Sequence, residues 1–216
     1  QRQMCIRDRS YAAGDYEHMW KLVFNGTRYS FFLLAVFILP LCFNIDFILS
    51  LWLKEIPAYT NIFVILFLAN VLAESYSTYL ITVLLATGKI AFYQASVGTI
   101  LLLNVPLSYL AFQWGYPPVS FLVVSIILTF AASALRLFLL KKRFSFSITL
   151  FLRSVFLKTL LTILLVSALN FMLLNLRSLL PYGNILVLLF SCLISMGGIY
   201  ILGLNSEERR IVIVQA

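Results

Sequence analysis

The sequence predicts an all-α polytopic transmembrane bundle of about six helices, and three observations predict it. Of the 216 residues, 62% are hydrophobic and 11% charged, with mean hydropathy +1.00, whereas a soluble domain carries about 25% charged residues. The apolar positions fall in runs of about twenty residues or more, the length that crosses a bilayer core. Segments such as Tyr29 to Ile45 and Ile185 to Leu204 do not alternate polar with apolar residues, as the strands of a membrane β-barrel must.

Six runs follow in order: Tyr29 to Leu53, Asn61 to Thr87, Ala91 to Trp114, Pro118 to Leu140, Ser154 to Leu176 and Tyr182 to Leu204. Their separators are short and carry turn chemistry or charge: Lys54-Glu55-Ile56-Pro57, Gly88-Lys89, Gly115-Tyr116-Pro117-Pro118, Lys141-Lys142-Arg143, Arg177, and Asn205-Ser206-Glu207-Glu208. Such links make consecutive helices antiparallel. Residues 29–140 then hold four spanning helices, 141–153 a basic loop, 154–204 two more helices and 205–216 a tail.

The segment before the first run divides in two. Gln3-Met4-Cys5-Ile6-Arg7-Asp8-Arg9 resembles translated adapter sequence, so residues 1–10 are read as non-native, with the native chain resuming near Ser10 and further helices expected upstream. Residues 11–28 read as a loop: Gly14 ends a helix, Asp15 caps the next segment, and Met19, Trp20, Leu22, Val23 and Phe24 form the apolar side of a surface-lying stretch.

A net charge of +8 would raise nucleic acid as a partner in a soluble chain. Here the placement of the charges explains the excess. Distributed over alternate sides of six helices, every Lys and Arg except Lys54 and Arg177 falls on one side, fourteen of sixteen. That side is the cytoplasmic one by the positive-inside rule, and it holds both termini. Trp52, Tyr59, Trp114, Tyr116 and Tyr182 fall at the opposite helix ends, where an interfacial aromatic belt belongs. The expected partner is the lipid bilayer, with no nucleic acid.

The second run holds the most informative polar residue, Glu74, thirteen residues from either end. Insertion of an acid at a helix centre costs about 2.5–3.5 kcal/mol, so such a group faces protein or water. Asn70, Glu74, Thr78 and Thr82 recur at four-residue steps, with Ser77 beside them, placing a polar stripe on one helix face that should line a cavity or a helix interface, and with Asn104 of the third run they are the candidate ion-coupling or cavity-lining residues. Two readings stay open: a protonatable group coupling ion movement to conformational change, or a structural acid hydrogen-bonded to a neighbouring helix. Pro40 and Pro106, the latter beside Asn104, are candidate hinges of the kind alternating-access transporters use, although proline is common in transmembrane helices generally. Arg136, near the inner end of the fourth run, is read first as snorkelling to the headgroups and second as a lipid-phosphate contact. Ser125, Thr129 and Ser133, and Ser191, Ser195, Gly197 and Gly198, are read as packing positions. Asp46 is read as an interfacial cap.

No catalytic constellation can be assembled. The single histidine, His18, lies before the first run, no Gly-rich phosphate loop or HExxH occurs, and Cys5, Cys42 and Cys192 have no metal-ligand spacing. The expectation is a non-enzyme with no cofactor and no metal. Asn25-Gly26-Thr27 is a chance glycosylation match.

Specific residues add a resemblance. Tyr11-Ala-Ala-Gly-Asp-Tyr16, Ile56-Pro57-Ala-Tyr59-Thr60, Ala86-Thr87-Gly88-Lys89-Ile90 with Tyr93-Gln94, and Leu103-Asn-Val-Pro-Leu-Ser108 resemble the polysaccharide biosynthesis proteins. These are the O-antigen and lipid-linked oligosaccharide flippases of the multidrug/oligosaccharidyl-lipid/polysaccharide exporter superfamily. The resemblance implies a two-bundle transporter, of which 29–140 would be the last four helices of the second bundle and 154–204 an additional pair. It implies flipping of an undecaprenyl-pyrophosphate-linked oligosaccharide by alternating access, coupled to H+ or Na+, with basic residues holding the pyrophosphate. The chain departs from that pattern in having few basic residues within the membrane. An exporter of small amphipathic molecules from the same superfamily and a non-transporting membrane scaffold are the alternatives.

Overall fold

In the computed structural model, which describes residues 16–51, 53–86, 90–144, 146–175 and 183–203, every regular element is helical. The helices are α1 (Tyr16–Phe43), α2 (Ile45–Ser50), α3 (Thr60–Ala86), α4 (Ile90–Leu102), α5 (Asn104–Gln113), α6 (Ser120–Arg143), α7 (Ile148–Asn175) and α8 (Gly183–Gly198), the last continued by a π-helical turn, Ile199–Gly203. Among the described residues six helical spans are long and apolar enough to cross a membrane, α4 and α5 together supplying one. The protein is an all-α, multi-pass membrane protein. The adapter-like residues 1–10, the Gly14 end and Asp15 cap, the tail 205–216, and Trp52, Arg177 and Tyr182 lie outside the described residues.

By contact the chain divides into two units, Gln1–Ser30 with Ala69–Val155, and Phe31–Leu68 with Phe156–Ala216. In the first unit, two segments expected as loops are helical. Residues 16–28 open α1, because Tyr16, Trp20 and Phe24 recur at four-residue steps and so share one helix face. Glu17, His18, Lys21 and Asn25 form the opposite, exposed face, while Met19 and Val23 are each only 1% exposed. The expected basic loop 141–153 shrinks to residues 144–147. α6 continues through Lys141 and Lys142, since lysine and arginine favour helices and their C-terminal ends. α7 starts at Ile148, where the Ser147 hydroxyl accepts the Leu150 N–H at 3.3 Å as an N-cap, and Arg153 lies in a π-helical turn, Leu152–Phe156.

Rings clamp the shortened loop. Phe144 packs on Tyr16 and Trp20 (centroids 5.7 and 5.9 Å), Phe146 on Trp20 and Phe24 (4.6 and 5.9 Å), and Phe151 on Phe24 (5.5 Å). Tilted and edge-on pairs at these distances each add about 0.5–1.5 kcal/mol to the burial of the rings.

In the second unit α7 and α8 pack antiparallel around Asn170, which is 1% exposed. Its amide donates to Ser195 Oγ at 3.3 Å and to the Val166 carbonyl at 2.9 Å, and its carbonyl accepts from the Ser191 hydroxyl. Gly198 allows the close approach: a Cβ there would stand 2.8 Å from Val166 Cγ2. The serines and this glycine were read as packing positions, and they are. A double-mutant cycle of Asn170→Ala with Ser191→Ala, followed by thermal unfolding in detergent, should give a coupling of about 0.6–1.7 kcal/mol. A coupling of zero would remove the hydrogen bond from the account of this pair.

Pro40 lies inside α1, and the helix breaks four residues later, at Asn44 (φ −115°, ψ 23°). There the backbone N–H and the side-chain amide of Asn44 both donate to the Pro40 carbonyl, at 3.1 and 3.0 Å. Asp46, in the first turn of α2, is exposed and accepts from the Asn61 amide.

Candidate functional site

The residues singled out on α3 separate onto different sides of the helix, all within the first unit. Asn70 Oδ1 accepts from Thr129 Oγ1 of α6 at 2.9 Å. Ser77 and Ser133 hydroxyls lie 2.6 Å apart, and Ser133 spends its proton on the Thr129 carbonyl, so Ser77 donates. This ladder joins α3 to α6, with residue numbers rising together along both, so the helices run parallel, as spans two apart in a chain of short connections must. Thr82 turns back on its own helix, donating to the Tyr79 carbonyl at 2.7 Å. Asn70 and Ser77 thus lie at the α3–α6 interface, one of the two places expected for the stripe.

Glu74 and Thr78 lie on another face, exposed together with Leu85. No described side chain hydrogen-bonds or ion-pairs with Glu74. Facing lipid at mid-span would cost a carboxylate several kcal/mol, so this face adjoins water or protein.

The broken span α4–α5 packs against α6. Tyr93, Val97 and Ser108 are its buried residues, with half-buried Asn104 on the same side. The break at Leu103 has a direct cause: Pro106 has no N–H for the Leu102 carbonyl, and the helix restarts at Asn104 with the proline in its first turn, where no donor is required. The Leu103 N–H is shared between the Thr99 and Ile100 carbonyls, each at 3.2 Å. Ser108 Oγ donates to Asn104 Oδ1 at 3.1 Å, bridging the first turn of α5. Of the two candidate hinges, Pro106 therefore interrupts its helix directly, and Pro40 sits upstream of a break.

Arg136 does not snorkel. It is 5% exposed, and its Nε donates to the Tyr93 hydroxyl at 3.2 Å. Among the described residues it has no carboxylate partner and no further hydrogen bond. The sequence explains the first of these, since no Asp, Glu or His lies between Glu74 and Glu207. A guanidinium stays charged and carries five donors in a planar fork, and burying one with a single neutral acceptor is unfavourable unless an anion joins it. Arg136 is thus a largely buried cation whose one hydrogen-bond partner among the described residues is neutral, and the Tyr93 side chain beside it is 5% exposed.

Sequence reasoning missed three participants. Arg28, placed in a loop, is helical and 5% exposed, with its guanidinium carbon 5.7 Å from the centroid of the Tyr29 ring. Tyr93 entered only through a motif, not as the partner of Arg136. Tyr79 lies over Gly26, where a Cβ would meet its ring at 2.5 Å, and its hydroxyl is 3.5 Å from Ser30 Oγ. The four-residue spacing from Tyr16 through Trp20 and Phe24 to Arg28 carried a signal for the first of these. The chain matches no family model, no curated protein and no solved structure.

Proposed function

We propose that the chain is part of a membrane transporter that moves an anionic lipid-linked oligosaccharide across the bacterial inner membrane by alternating access. The substrate class is an undecaprenyl-pyrophosphate-linked repeat unit of an O-antigen or a capsular or exopolysaccharide, and the basic helix ends are cytoplasmic. The observation that carries the reading is Arg136, a buried guanidinium with one neutral partner and no carboxylate among the described residues, suited to a pyrophosphate oxygen. Two features support it. The span interrupted at Leu103 resembles the discontinuous helices on which transporters bend, and Glu74 is an acid at mid-span on an exposed face, available to H+ or Na+.

Deletion of the gene tests the reading. Lipid-linked repeat units should accumulate on the inner leaflet, and normal glycan export in the deletion strain would overturn it. The coupling role has its own test: Glu74→Gln should lower export in the complemented strain at least about tenfold, the usual scale for loss of an essential protonating group. Full complementation by this variant would remove Glu74 from the mechanism without touching the anion site.

A further inference from the structure

The connection between α6 and α7 presents cations that the transport reading does not use. Lys141 and Lys142 are exposed in the last turn of α6, and Arg153 is exposed in the π-helical turn of α7. None has an ion-pair partner among the described residues, and no acid occurs anywhere from Ser75 to Ser206 to supply one. The dipole at the end of α6 favours the two lysines. It does not account for Arg153, which lies five residues into the next helix, about 8 Å along its axis.

Two rings of the connection, Phe144 and Phe146, are packed against Trp20 and Phe24 of α1, and Phe146 also meets Phe151, at 6.0 Å. The connection is thus a basic corner flanking packed rings, at the end of two helices that can span a membrane. Phosphates of anionic lipids lie at that depth, and tryptophan and basic side chains gather there.

We propose that this corner is a binding site for an anionic phospholipid of the phosphatidylglycerol type, its phosphodiester held by Arg153 and by Lys141 and Lys142. The guanidinium takes two oxygens of the phosphate and the lysines act as point charges. The acyl chains run along the exposed apolar sides of α6 and α7, where Phe138 is 60% and Leu150 59% exposed.

The test uses the detergent-purified, delipidated chain. Phosphatidylglycerol, phosphatidylcholine or inorganic phosphate is added at equal phosphate concentration, and bound lipid is counted by native mass spectrometry alongside the thermal transition. Phosphatidylglycerol should be retained about tenfold over phosphatidylcholine, with the preference shrinking between 0.05 and 0.5 M salt as screening shortens. Lys141→Gln/Lys142→Gln/Arg153→Gln should abolish the preference, and Lys141→Arg/Lys142→Arg should keep it. Equal retention of the two lipids, a preference insensitive to salt, or an unchanged preference in the triple variant would overturn the proposal. A stabilisation by inorganic phosphate equal to that by phosphatidylglycerol would overturn it too, since the site would then bind the free anion. The salt series needs no substitution, so a triple variant that fails to fold leaves the proposal open to refutation.

Discussion

Arg136→Leu should abolish glycan export in the complemented deletion strain while leaving the purified protein at least as resistant to heat. The two halves of that outcome come from the same burial. The guanidinium is 5% exposed and has, among the described residues, only the Tyr93 hydroxyl, so a shorter apolar side chain removes a buried charge that has no ionic partner there, and the purified protein should melt at or above the native temperature. With substrate present the balance reverses. Removing one member of a desolvated charge pair costs about 2–5 kcal/mol, a loss of roughly thirtyfold to several thousandfold in affinity for the pyrophosphate. Arg136→Lys should fall between, keeping the charge and losing the fork. Export assays with thermal unfolding of the same variants check this. A variant that loses stability and export together would mark Arg136 as a structural residue and withdraw it from the anion site.

Gly26→Ala should destabilise the first unit, and Gly26→Leu should prevent it from accumulating in folded form. A Cβ at Gly26 would lie 2.5, 2.8 and 2.9 Å from three atoms of the Tyr79 ring, closer than carbon atoms approach in folded proteins. The ring is half-buried and rigid, so it must swing as a whole or α1 and α3 must part. Forced overpacking of this kind costs about 1–3 kcal/mol for small additions, and leucine adds three further heavy atoms beyond a Cβ that already meets the ring. The helix propensity of alanine offsets less than about 1 kcal/mol of this. Size-exclusion profiles after heating should show Gly26→Ala melting lower and Tyr79→Ala in that background recovering much of the loss. If Gly26→Ala melts at or above the native temperature, the contact is not a constraint.

The class, the number of spans and most of their ends were legible in the sequence, because bilayer thickness and hydropathy act on whole segments. The start of the first span and the helix ends around 141–153 were not. Lys141, Lys142 and Arg143 looked like a loop, although charge at a membrane surface says nothing about backbone conformation, and helices run past the hydrocarbon edge at little cost. Residues 16–28 were read as a surface-lying stretch apart from the first span, because the four-residue recurrence of Tyr16, Trp20 and Phe24, which runs straight into that span, was not counted. Within the candidate site, the polar stripe on α3 was visible, but periodicity could not say which members meet α6. Asn70 and Ser77 do, whereas Glu74 and Thr78 lie 40–80° further round the helix by its 100° step per residue and remain exposed. The partnership of Arg136 with Tyr93 joins residues 43 apart in sequence, a distance no local pattern spans. The packing role of the serines on α6 and α8 was readable because small side chains at four-residue spacing have few other uses in a membrane helix.

The four-residue link between α6 and α7 also bears on how this protein can be handled at the bench. From sequence alone, residues 141–153 look like the natural place to insert an epitope, a reporter or a protease site for mapping which ends face which compartment. With Phe144 and Phe146 clamped on Trp20 and Phe24, any insertion there pulls apart the rings that seat the start of the first helix. A silent reporter at that position would therefore record a damaged fold instead of an inaccessible side. The connection between α2 and α3, where Lys54, Glu55, Ile56, Pro57 and Ala58 are all exposed and outside any helix, accepts added residues with far less disturbance.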